Sequence, residues 1–141
     1  MTLYAETSAV LRWLFNEPRG DAILDHLRAA SKITASRLTL LEARRAIRRA
    51  AREGGLRSAQ RSEVLSALAL AAARWALLEL SRPVVDRAEG EFPVEPIRTL
   101  DALHLASALA LREALPDLVV LSTDDRIRAN ALELGFALLP E

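Results

Sequence analysis

The chain has 141 residues, the size of one ordinary domain and too short for two. Hydrophobic residues make up 51% and charged residues 27%, which allows a packed core and argues against wholesale disorder. Lys+Arg and Asp+Glu both number 19, so bulk charge does not draw the molecule onto DNA or a membrane surface, whatever local patches do.

Leu3-Tyr4-Ala5 reads as a short buried strand, followed by helical character from Thr7 to Phe15. Pro18 and Gly20 punctuate, and Asp21 to Ala30 reads as an amphipathic helix with Ile23, Leu24 and Leu27 inward. Lys32 to Ala35 suits a second strand; Ser36 then opens a long helix to about Arg52, stopped by Gly54-Gly55. Ser58 can cap the next helix, to about Trp75, whose apolar residues on nearly every side predict burial. Leu77 to Leu80 is a weaker strand signal, Ser81 to Glu89 is helical, and Phe92 to Pro96 is a loop. Thr99 can cap a helix to Ala114, and Pro116-Asp117 turns into Leu118 to Leu121, the clearest strand. A helix from Asp124 to Leu134 and a short strand at Ala137 to Leu139 complete the pattern. Strands alternating with helices imply crossovers, an α/β fold and a mostly parallel sheet. No repeat, low-complexity tract or linker divides residues 1–141, so one domain is expected. Glu6 and Arg12 interrupt any signal-peptide core, and Val64 to Ala73 is too short to span a bilayer. A soluble cytoplasmic protein is the expectation.

The chemistry is bounded by what is missing. With no cysteine and two histidines, His26 and His104, thiolate sites, cysteine nucleophiles and histidine-rich metal sites are excluded. Carboxylates, hydroxyls and arginines remain. In parallel sheets ligands collect at the carboxyl ends of strands, near the switch point. Glu6 and Asp124 follow confident strands, while Glu42 and Asp101 sit in apolar helical surroundings where a lone charge is costly. Converging carboxylates suit a hard cation, Mg²⁺ or Mn²⁺. Each acid also has an ordinary structural use. Asp124 and Glu6 can cap helices, Asp101 can complement a helix dipole, and Glu42 can pair with Arg45 or Arg49.

Four segments in order resemble the PIN-domain family, and more narrowly the VapC-type ribonuclease toxins of toxin–antitoxin pairs. They are Tyr4-Ala5-Glu6-Thr7-Ser8-Ala9, Ser36 to Glu42, Leu100 to Ala106, and Leu121-Ser122-Thr123-Asp124-Asp125-Arg126. The resemblance implies helices on both faces of the sheet, an acidic Mg²⁺ or Mn²⁺ site, RNA endonuclease activity, a homodimer and a cognate antitoxin. It puts Glu6, Glu42, Asp101 and Asp124 in the acidic positions, with Glu6, Asp101 and Asp124 on the metal. Thr7 or Ser8 takes the hydroxyl position, and Ser122 the small polar one at the strand end. Asp125 competes with Asp124, and Ile127 sets the spacing that favours Asp124. The family usually has aspartate where this chain has Glu6, and Mg²⁺ tolerates little distortion of its octahedron.

An ion so held activates water and neutralises phosphodiester charge without a histidine base. His104, one turn from Asp101, can orient it, but a packed histidine with one hydrogen bond is the simpler expectation. The neutral total hides a basic run: Arg44, Arg45, Arg48, Arg49 and Arg52 take one helix face, with Arg57 and Arg61 beyond. RNA phosphate contact, with Arg44, Arg45, Arg48 and Arg49 nearest, and a merely solvated face are both open. Aromatics at 4% are too few for a base-stacking platform, so Trp13 and Phe15 are assigned to packing or a protein surface. Two rivals follow. One is a PIN-like module with a weakened site that binds RNA or a protein. The other, a phosphoryl-accepting receiver domain, needs a late-strand lysine, and Lys32 is the only lysine.

Overall fold

Every residue from 1 to 141 is described in a computed structural model. The elements run β1 (Thr2–Ala5), α1 (Thr7–Leu14), α2 (Gly20–Ala29), β2 (Lys32–Ser36), α3 (Arg37–Arg52), α4 (Ser58–Ala72), β3 (Ala76–Leu78), α5 (Arg82–Ala88), α6 (Thr99–Ala114), β4 (Val119–Leu121), α7 (Asp125–Glu133) and β5 (Ala137–Leu139). The five strands form one parallel sheet in the order β3-β2-β1-β4-β5. β1 is central, and all four of its residues are buried, because strands cover both its edges and helices both its faces.

Strand alternation divides the core in two. Leu3, Ala5 and Leu121 face a cluster completed by Val10, Ile23, Ala43, Ile47 and Leu68 from α1, α2, α3 and α4. Tyr4 and Val120 face the other side, where Leu105, Ala108, Ile127 and Phe92 pack. The expected α/β fold with helices on both faces is what forms. Trp13 and Phe15 pack against the first cluster.

Local chemistry fixes the ends. Ser36 caps α3 through its hydroxyl, which accepts from the Leu38 amide at 3.0 Å. Gly54, past the end of α3, has φ 81°, which a side chain would strain. α1 and α2 approach so closely that a Cβ on Gly20 would lie 2.5 Å from the Arg12 carbonyl oxygen.

Three expectations need correction. α4 is not buried: only Leu68 of its residues is, and Leu70 is 76% exposed. Its alanines and leucines surround the axis without marking which side meets the core. The residues at the helix N-caps are Arg57 and Arg98, one position before Ser58 and Thr99. β3 spans Ala76–Leu78 rather than Leu77 to Leu80, because Thr34 to Ser36 of β2 pair with those residues.

Candidate acidic active site

β1 and β4 are neighbours, with Ala5 opposite Leu121, so the chain leaves both strands side by side at the switch point. The Glu6 amide extends the pairing by donating to the Leu121 carbonyl at 3.0 Å. Glu6 is then the N-cap of α1 and only 4% exposed. Its Oε2 accepts from the Ser8 amide at 2.7 Å, the Ser8 hydroxyl at 2.5 Å and the Ser122 hydroxyl at 3.1 Å. Those hydroxyls in turn accept from the Thr123 and Asp124 amides, which ties the turn after β4 to the start of α1. Burial pushes the Glu6 carboxyl above its ordinary pKa and the nearby Asp124 adds to this, while His104 and the Ser8 hydrogen bonds partly offset it.

Asp124 is the N-cap of α7, its Oδ1 accepting from the Ile127 amide at 3.0 Å. Asp125 lies one residue on, in the first turn of the helix, and does not line the cleft. Asp101, in the first turn of α6, accepts from the Arg98 amide at 3.3 Å, and the Arg98 guanidinium stands 3.6 Å away.

Glu42 is held from the far side. Its Oε1 accepts from the Thr7 hydroxyl at 2.7 Å and lies 2.5 Å from Nε2 of His104. With Nε2 donating, Nδ1 accepts from the Tyr4 hydroxyl, 2.7 Å away. Burial raises the Glu42 pKa, but the His104 hydrogen bond and field, with the Thr7 bond, outweigh it, so the net direction is down. Burial and the fields of Glu6 and Glu42 together push the Tyr4 phenol up. Two expectations change here. Glu42 pairs with neither Arg45 nor Arg49, and His104, 2% exposed, serves Glu42 rather than Asp101 and makes more than one hydrogen bond. The sequence offered one signal for this pairing, a histidine on the same helix as an acid, and it pointed to the wrong acid.

Glu6, Thr7, Ser8, Glu42, Asp101 and Asp124 line one cleft of about 500 Å³, with Arg98 and His104 also on its wall. Ser122 lies behind Glu6, fully buried. Arg44, Arg45, Arg48 and Arg49 are outside the cleft, on the exposed side of α3. The all-oxygen donor set suits a hard divalent cation. As placed, no three acid or histidine side chains are gathered tightly enough for one ion. Glu6 is drawn towards the serines, and Asp101 towards Arg98, so a cation would have to compete with those partners.

The family model of the PIN domain matches residues 3–134. The chain belongs to the PIN-domain family. This PIN domain is 34% identical over 140 residues to Ribonuclease VapC46 of Mycobacterium tuberculosis, covering 97% of this chain and 95% of that one. It is 30% identical over 139 residues to Ribonuclease VapC35 of the same species, with the same coverage. Two solved structures share the PIN fold. VapBC2 from Rickettsia felis, bound to a DNA fragment from its promoter, matches with TM-score 0.68 and 15% identity, covering 98% of this chain and 97% of that one. A toxin–antitoxin complex from Klebsiella pneumoniae matches with TM-score 0.62 and 17% identity, covering 99% and 97%. No helix of the PIN domain is long and apolar enough to cross a membrane.

Proposed function

We propose that this chain is a divalent-metal-dependent endoribonuclease, the toxin of a toxin–antitoxin pair, working as one PIN unit over residues 1–141. The observation that carries the reading is the lining of one cleft by Glu6, Glu42, Asp101 and Asp124, drawn from separate elements. Full-length likeness to two ribonucleases of the VapC type supports it. Glu6, Asp101 and Asp124 are the residues to hold Mg²⁺ or Mn²⁺. When bound, such an ion supplies Lewis acidity towards water and the phosphodiester oxygens. Ser8 and Ser122 fix the Glu6 carboxylate, and Thr7 and His104 fix that of Glu42. Glu42, kept ionised by those bonds, can accept a hydrogen bond from an attacking water and orient it, and Arg98 at the wall can meet a phosphate. A cognate antitoxin and a homodimer are the partners that accompany this reading.

The test is cleavage of RNA by the purified protein with Mg²⁺ or Mn²⁺ and with EDTA. Asp101→Asn and Asp124→Asn should each abolish metal-dependent cleavage while leaving the fold intact, and Asp125→Asn should do much less. Equal loss at 124 and 125 would overturn the assignment of Asp124.

One observation favours a second reading, a PIN module with a weakened site. Glu6, where the family usually has aspartate, spends one carboxylate oxygen on three internal donors. Glu6→Asp separates the two readings. In a working site adapted to glutamate, the shorter acid lowers activity. In a decayed site it raises activity over an inactive parent.

A further inference from the structure

The arginines of α3 do not stand alone. Arg45, Arg48, Arg49 and Arg52 converge with Arg61 of α4 around a hollow of about 420 Å³, where Ala51 is the sole hydrophobic residue. A second hollow of about 380 Å³ shares Arg45, Arg48 and Arg61 and adds Arg44 together with Leu41, Ile47 and Leu65. None of these side chains has an acidic partner within salt-bridge distance. Arg44 with Arg48, Arg45 with Arg49, and Arg48 with Arg52 are like charges four residues apart, which work against the helix carrying them. A merely solvated helix face would intersperse acids. This one keeps a self-repelling concave surface across two helices.

The hollow also connects to the cleft. A third depression, about 400 Å³, is lined by Thr7, Leu11, Glu42 and Leu100 of the acidic cleft together with Arg45 and Arg49 of the arginine surface. A polyanion leaving the acids would therefore pass over Leu41 and Leu100, 56% and 46% exposed, and on between α3 and α4.

We infer that the α3–α4 hollow is a distal phosphate site, in which Arg52 and Arg61, with Arg48, hold the backbone of the RNA segment flanking the cut. The inference rests on the nuclease reading above. Guanidinium forks match phosphate oxygens, and the larger hollow offers no aromatic ring to stack a base. Recognition there reads the backbone and is indifferent to sequence. RNA is favoured over an acidic protein segment because the hollow connects with the acidic cleft through the depression that Thr7, Glu42, Arg45 and Arg49 share.

The site predicts a dependence on substrate length. The test compares the wild type with Arg52→Gln/Arg61→Gln on single-stranded RNAs of about 24 and about 6 nucleotides carrying the same cleavable core, a contrast set by the reach of one binding face. Binding is read by fluorescence anisotropy across a salt series, and cleavage by KM and kcat. On the long RNA the double variant should bind about tenfold more weakly, with a salt slope shallower by about 1.4, the value for two lost phosphate contacts on a single strand. The short RNA should be bound and cut as before, and kcat should not move. Unchanged binding of the long RNA, or equal loss on both lengths, overturns the distal site. Tighter arginine-dependent binding of poly-glutamate than of RNA overturns it in favour of an acidic protein partner. If the wild type cuts neither RNA but keeps the length and arginine dependence of binding, the nuclease reading fails and the phosphate site stands.

Discussion

Two glutamates in one cleft have been pushed in opposite directions, and their stability signatures should differ in sign. Glu6 is buried with its folded pKa raised, so ionising it in the folded state opposes folding at neutral pH. That penalty is absent below the unfolded carboxylate value of about 4.3 and grows until pH passes the folded value. Glu6→Gln keeps an oxygen for the Ser8 and Ser122 donors and removes the charge. It should raise the melting temperature by a few degrees at neutral pH, with the gain fading on acidification, while abolishing cleavage. Glu42 runs the other way. Its depressed folded pKa contributes stability that is present above the unfolded value and lost as pH falls through the folded one. Glu42→Gln should therefore lower stability at neutral pH, and the deficit should close below the ordinary carboxylate range. Thermal melts of both variants from neutral pH downward decide this, and shifts of the same sign would contradict the electrostatics described for the cleft.

At the scale of elements, α4 meets the core along one face, with Leu68 fully buried and Val64, Leu65, Ala67, Ala71 and Ala72 partly buried around it. Leu68 is 1% exposed within the core formed with α1, α2 and α3, whereas Leu70 is 76% exposed. Leu68→Ala should cost about 2–5 kcal/mol, and Leu70→Gln should stay within about 0.5 kcal/mol, measured by denaturant unfolding. Comparable losses would return α4 to the buried role its composition suggests. That misreading shows where sequence stops. The strands at Leu3-Tyr4-Ala5 and Val119-Val120-Leu121 were legible because short apolar runs between turn signals have few other uses. Glu6 and Asp124 were legible as cap positions directly after those strands, and both do cap helices. In α4 the apolar residues lack a period, so the composition carried no direction. The Tyr4–His104–Glu42 chain was illegible for another reason: its members are 100 and 62 residues apart, and only the packing of α6 and α3 beside β1 joins them. Helix α7 carries a control that follows from its cap. Asp124→Ala should cost about 1 kcal/mol of stability, whereas Asp124→Asn keeps the cap, so lost cleavage in the asparagine variant reports chemistry and not fraying.

For the whole molecule, a net charge of zero describes a segregated distribution. Acids line the cleft at the switch between β1 and β4, and unpaired arginines line the neighbouring face of α3 and α4. Folding alone does not neutralise the cleft, since the field of Asp124 helps to raise the Glu6 pKa. A divalent cation would relieve that repulsion and bind only the folded state, so it should stabilise by mass action. At a concentration about a hundredfold above its dissociation constant the gain is about 2.7 kcal/mol, which is several degrees of melting temperature for a chain of this size. Mn²⁺ should show the effect as readily as Mg²⁺, because it accepts the same oxygen donors. The rise should saturate with metal, reverse with EDTA, and be absent with monovalent salt at matched ionic strength, which screens charge without occupying a site. Asp101→Asn/Asp124→Asn should remove it while the arginine face stays intact. A metal-dependent rise that persists in that double variant would place the ion elsewhere on the molecule and separate the acidic cleft from metal binding.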